Sequence, residues 1–234
     1  MGEKNSFEVW RGPSEINGEP IVMILTMRSA NRKTGPMAQT TILSQAQPPH
    51  EAQASGSDAA VCGSCPLRPS TAKDGAPRCY VRTFHAPLAL WRAWKDGGIR
   101  PYSSESAGGL QRRLEADGLT LRLGAYGDPA AVPIWVWDSL VPSTGHTGYT
   151  HRWRENPSLS SYCMASVETD AEGVEARALG YRTYRVALDG VGPTRSEIAC
   201  PHESRGITCN SCGLCAGSSR LQVLGTKSIV VQPI

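Results

Sequence analysis

Eight cysteines carry the first chemical signal: Cys62, Cys65, Cys79, Cys163, Cys200, Cys209, Cys212 and Cys215. Cys62 and Cys65 form a C-x2-C pair, and Cys79 follows after a loop carrying Pro66, Pro69, Gly75 and Pro77. Cys209, Cys212 and Cys215 form C-x2-C-x2-C, preceded by Cys200 in a Cys-Pro pair. The backbone turns tightly within C-x2-C, so two sulfurs reach one metal or one cluster face. Three such thiolates in a run point to an iron–sulfur cluster more than to zinc, whose sites use two separated pairs. Structural zinc, and free or disulfide-bonded thiols, are the plainer readings. Cys163 stands alone in the strand-like YCMASV, where a lone cysteine is ordinarily a small buried hydrophobe. Counting argues otherwise. Cys62, Cys65 and Cys79 with Cys163 make four, and Cys200 with Cys209, Cys212 and Cys215 makes another four. The expectation is two [4Fe–4S] clusters or one larger fused cluster, with zinc as the alternative.

A second group of polar residues falls at the expected ends of strands. Arg122 lies within one strand, and Tyr126, Gly127, Asp128 and Pro129 end it. Tyr149, His151, Arg152 and Trp153 end the next, Glu168 and Asp170 a third, and Cys200, Pro201, His202 and Glu203 a fourth. Ligands gather at such ends in parallel α/β folds. Asp128, Tyr126, His151 and Arg152 are therefore the catalytic candidates. Arg122 and His202 are assigned to cofactor binding, His202 as a donor to a ligand sulfur. The competing readings are Asp128 as a helix cap and His151 as a solvated loop residue. YTHRWR mixes aromatics with arginine as nucleic-acid sites do, a weak signal here. No phosphate-binding glycine loop and no Ser-His-Asp pattern is visible.

These residues need elements to position them. Ile21–Thr26 and Gln39–Leu43 read as two strands of a hairpin, turned through SANRKTGP. Residues 1–18 read as an irregular arm and 44–60 as a flexible connector. HAPLALWRAWKD predicts a helix over 85–96 and the chain predicts another over 106–117. Then come a strand in LTLRLGAYGD, a helix in AAVPIWVWDSL interrupted near Pro133, and strands in HTGYTH and YCMASV. A helix over Asp170–Leu179 is followed by strands in YRTYRVAL, EIAC, SSRLQVL and KSIVVQ. Strand–helix alternation predicts parallel βα units. The fold expectation is α/β: an incomplete or distorted (β/α) barrel with an N-terminal β-hairpin and cysteine-rich metal-binding loops. Residues 1–60 form arm, hairpin and linker packed on a cysteine-rich domain, 61–234, as one structural unit.

Composition narrows the class. The 234 residues include 24 Lys plus Arg and 21 Asp plus Glu, a formal charge of +3. That balance argues against nucleic-acid binding by charge. The longest apolar run, Ile21 to Leu25, is far short of a membrane span. MGEKNSFEVW has no apolar signal core. The expectation is a soluble cytoplasmic protein whose thiols stay reduced.

The blocks CGSCP, RCYV, LRLGAYGDPAAVP, TGYTHRW, CMASVET, YRTYRV and CPHES…CNSCGLC resemble a cysteine-rich bacteriophage protein family, over roughly residues 20 to 231. The resemblance implies an iron–sulfur protein encoded by a phage or prophage and acting in the host cytoplasm. LRLGAYGDP after a three-cysteine loop is also distantly similar to radical S-adenosylmethionine barrels. Those use C-x3-C-x2-C, where this chain has C-x2-C-x13-C, and no Gly-Gly-Glu strand end follows. Two alternatives stand beside the iron–sulfur expectation. One is an enzyme with a strand-end pocket around Asp128 and His151. The other is a zinc-stapled interaction module. The expected partners are a redox partner or a small-molecule substrate.

Overall fold

Five consecutive apolar residues, Ile21 to Leu25, are all completely buried. They form the centre of strand β2 (Pro20–Thr26), flanked by β1 (Ser6–Pro13) and β3 (Ala38–Ser44), both antiparallel to it. A strand buried on both faces reads as a continuous apolar run rather than an alternating one. The computed structural model describes residues 5–71, 79–102, 107–188, 190–218 and 227–232. The β2–β3 hairpin matches its sequence expectation. The irregular arm does not, because Phe7, Val9 and Trp10 pack on the core and make β1 a strand. The flexible connector is also corrected. It holds helices α1 (Pro49–Ser55) and α2 (Ala59–Cys62), whose Ala52, Ala60 and Val61 bury small apolar surfaces that a search for large residues overlooks.

Helices α3 (Ala86–Lys95) and α4 (Ala107–Ala116) precede β4 (Leu121–Tyr126), which pairs in parallel with β3. The first sheet runs β1-β2-β3-β4-β5, where β5 is His146–Thr147. Between β4 and β5 come a 3₁₀ turn at Pro129–Ala131 and helix α5 (Ile134–Leu140), separated at Pro133. The second sheet runs β6-β7-β8-β10-β9 and is parallel throughout. Its strands are β6 (Tyr149–Thr150), β7 (Met164–Val167), β8 (Thr183–Val186), β9 (Glu197–Ala199) and β10 (Ser228–Val231). Helix α6 (Asp170–Ala178) links β7 to β8, with a capping box between Thr169 and Glu172. Two short helices, α7 (Pro201–Arg205) and α8 (Cys209–Cys212), lie between β9 and β10. The expected strand SSRLQVL falls almost wholly outside the described residues.

The expected single strand in HTGYTH is split. β5 ends the first sheet and β6 begins the second, with Gly148 between them. A Cβ on Gly148 would stand 2.9 Å from Cys163 Sγ and 3.2 Å from Leu123 Cβ, so only glycine fits this crossing unaltered. Neither sheet closes on itself among the described residues. The architecture is mixed α/β, with two sheets rich in parallel pairing.

Candidate metal centre

Period-two alternation assigns the faces of the second sheet. Cys163, Ala165 and Val167 belong to the main core, against which α6 packs through Ala176. Met164, Ile229, Val231, Cys200 and Cys215 form a separate cluster with Tyr149 and Tyr184. Cys163 and Cys200 therefore lie on opposite faces. They also lie at opposite ends. Ala199 pairs Val230, Val230 pairs Arg185 and Arg185 pairs Val167, so Cys200 stands level with Glu168. Cys163 precedes β7, about 16 Å away along the strands.

The tail cysteines converge. Cys200, Cys209, Cys212 and Cys215 line one cavity with Tyr149, Tyr184, His202 and Lys33. Thr208 caps α8 by accepting from the Ser211 N–H, so one helical turn brings Cys209 and Cys212 to the same side. Gly213, at φ 64°, ends that turn and sends Cys215 back toward the sheet. The α8 turn is fastened to the β2–β3 connection, where Cys209 N donates to Lys33 O at 3.1 Å and Asn210 N to Thr34 O at 2.9 Å. Buried Arg182 donates to the carbonyls of Leu214 and Ala216 at 2.7 and 2.8 Å, bracketing Cys215. Burial pushes the Cys215 thiol up to about 12, with a hydrogen bond from Tyr149 opposing and Cys209, Cys200 and Cys212 adding to the rise. Burial likewise raises Cys209, against the pull of Arg122. A bound cation relieves this mutual repulsion among thiolates.

A second group forms at the other loop. Burial raises Cys62 strongly, and Cys65, Asp58, Cys79 and Asp128 raise it further. Burial also raises Cys79, in the field of Cys65, Asp58 and His151. Gly63, between Cys62 and Cys65, takes φ +57°, and a Cβ there would stand 2.9 Å from Arg152 Cδ. Arg152 thus lies across the C-x2-C turn, and its guanidinium reaches Glu155 at 3.8 Å. Cys163 is raised by burial and then by Asp128, with no cysteine contributing. All eight cysteines are free thiols. Among the described residues, no three His, Cys, Asp or Glu side chains already stand in the arrangement that grips a metal ion.

The strand ends also meet. Asp128 is 7% exposed and accepts from Ala130 N at 2.9 Å, Thr150 Oγ1 at 2.7 Å and His151 N at 2.8 Å. These bonds make it a structural anchor joining the ends of β4 and β6. His151 Nε2 lies 2.9 Å from Glu168 Oε1 and 4.0 Å from Cys65 Sγ. Burial disfavours the His151 cation, yet Cys65 and Glu168 more than compensate and raise its pKa well above the ordinary value. Tyr126 is buried, and its hydroxyl has no hydrogen-bond partner among the described residues. Burial raises its pKa, and the charge of Cys62 adds most to that rise. His202 Nδ1 meets Ile207 O at 3.2 Å on the cavity wall. Arg122 donates to Tyr80, the residue after Cys79. Sequence reasoning named Tyr149 only as a strand-end residue and did not single out Tyr80 or Tyr184; of these, only Tyr80, next to Cys79, carried a signal in the chain.

No family model, curated protein or solved structure matches this chain. No helix among the described residues is long and apolar enough to cross a membrane.

Proposed function

We propose that the chain is an iron–sulfur protein with two thiolate sites of unequal completeness. The observation that carries this reading is the shared cavity of Cys200, Cys209, Cys212 and Cys215. Four thiols from one short stretch, with a tyrosine donor and Lys33 on the same cavity wall, suit a four-thiolate cluster better than isolated buried thiols. Loading requires α8 and the Cys200 turn to draw in around the metal. Cys62, Cys65 and Cys79 form the second site, and Cys163 stays out of it. A cluster held by three cysteines leaves one iron open, as a small-molecule substrate requires. The orphaned Tyr126 hydroxyl beside this site supports that reading. The parallel successions β3-β4-β5 and β6-β7-β8-β10-β9, joined through Gly148, support an incomplete (β/α) barrel enclosing both sites. The phage origin and host-cytoplasmic location rest on the resemblance of the sequence blocks.

The test is anaerobic purification with iron, sulfide and zinc counted per chain. We expect broad visible absorption and two clusters. Cys212→Ala should lose about four irons, and Cys163→Ala should lose none. A colourless, zinc-replete protein would establish the stapled module instead. Loss of iron in Cys163→Ala would restore Cys163 as a ligand.

A further inference from the structure

Four arginines in the described structure are more than nine-tenths buried, and three have their charge answered. Arg68 donates to Asp58 and to the carbonyls of Gly56 and Gly63. Arg185 pairs with Glu197, with two nitrogen–oxygen distances of 2.9 Å. Arg182 reaches the carbonyls of Leu214, Ala216 and Lys227. Arg122 is the exception. Among the described residues its guanidinium donates to one neutral group, the Tyr80 hydroxyl, and its Nε, like those of Arg68 and Arg182, has no partner. It forms no ion pair with a carboxylate among the described residues. A buried cation without an anion is costly, by several kcal/mol in general; among the described residues Arg182 also lacks a carboxylate, but three carbonyls answer it where Arg122 has one hydroxyl.

The surroundings are built for an anion. Arg122 lies 5.8 Å from the Tyr80 ring centre and 6.0 Å from that of Tyr149. Tyr149 and Tyr184 pack with ring centres 4.3 Å apart and wall the adjoining cavity. That cavity is the one the four tail cysteines line, and it contains Lys33 and no carboxylate. Tyr80 is 54% exposed, so the one group bonded to Arg122 is also its most displaceable neighbour. The planar fork of a guanidinium matches carboxylate and phosphate oxygens bidentately.

We infer that Arg122, covered by Tyr80 and walled by Tyr149, seats the carboxylate or phosphate group of a small-molecule ligand between the two cysteine groups. Tyr80 follows Cys79 on one side, and Cys209 stands on the other. This rests on the proposed function for the ligand's role, though the anion seat itself can be tested without a cluster.

The experiment titrates the anaerobically purified protein with orthophosphate and, separately, with acetate, at ionic strength held constant with chloride and read by calorimetry. Iron is counted on the same samples. At least one anion should bind saturably, and the two arms tell phosphate from carboxylate. Arg122→Gln should weaken binding about tenfold or more, the scale of a lost charge-assisted bond, with its iron count unchanged and its melting temperature not lowered. Arg122→Lys should weaken it less. Tyr80→Phe, which removes the competing hydroxyl, should bind no more weakly than wild type. The inference is overturned if neither anion saturates or if Arg122→Gln binds like wild type. It is also overturned if Arg122→Gln sheds iron, since Arg122 would then be the counter-cation of the cysteine group. Wild-type protein without iron sinks the iron–sulfur reading alone, because the anion titration still reads out.

Discussion

Cys163 is completely buried, with its sulfur against Gly148 at the junction of the two sheets. On the proposed reading its worth is in packing, and its variants should rank accordingly. Cys163→Ala should cost about 1 kcal/mol by leaving a small void. Cys163→Ser should cost more, about 1–3 kcal/mol, because it buries a hydroxyl among apolar neighbours. Denaturant melts check the ranking, and equal losses from both would point to ligation. Asp128 joins β4 to β6 in the same residue-by-residue way, accepting three hydrogen bonds at its carboxylate. The convergence of the tail cysteines on one cavity was legible because their spacing is local. The fate of Cys163 was not. A count of eight divides evenly into fours whatever the geometry, and alternation in YCMASV separates two faces without saying which one meets the loops.

At the scale of elements, Arg185 and Glu197 bind β8 to β9 across the intervening β10, both on the face opposite the tail cysteines. Burial pushes the Glu197 carboxyl up, but Arg185 and the Thr194 N–H pull it down further, leaving it below the ordinary carboxylate range. A carboxyl with a depressed folded pKa stabilises at neutral pH, and that contribution is lost as pH falls through the folded value. Glu197→Gln should therefore cost about 3 kcal/mol at neutral pH. Its deficit relative to wild type should shrink below about pH 4, as thermal melts at stepped pH would show. A deficit independent of pH would mean the loss is steric. The strands and helices with large apolar residues were readable in the sequence: β2, α3 and β7 among them. β1, α1 and α2 were not, because half-buried aromatics and alanines supply their burial.

Across the whole molecule, the tail loop is tied both to the β2–β3 connection and to the second sheet, so metal there should stabilise both halves. Prolonged chelation under anaerobic conditions should lower the melting temperature, by about 2–4 °C for each kcal/mol of binding energy lost in a chain of this size. An unchanged melt with metal demonstrably removed would confine the metal's role to chemistry. Parallel α/β organisation was legible from the alternation of elements; the spatial order of the strands was not, because β10 inserts between β8 and β9, and periodicity is silent about insertion. That insertion also has a bearing on how the chain is made. The first sheet has all its strands once residue 147 has been synthesised. Among the described residues, β9 has no partner until residues 228–231 leave the ribosome, because β10 is the strand it pairs with. During that interval Arg185 has no strand between it and Glu197, and the stretch bearing Cys200, Cys209, Cys212 and Cys215 emerges before the sheet beneath it is complete. Translation thus offers the thiols to solvent first and encloses them last, which would give delivery of the proposed cluster a natural window during synthesis.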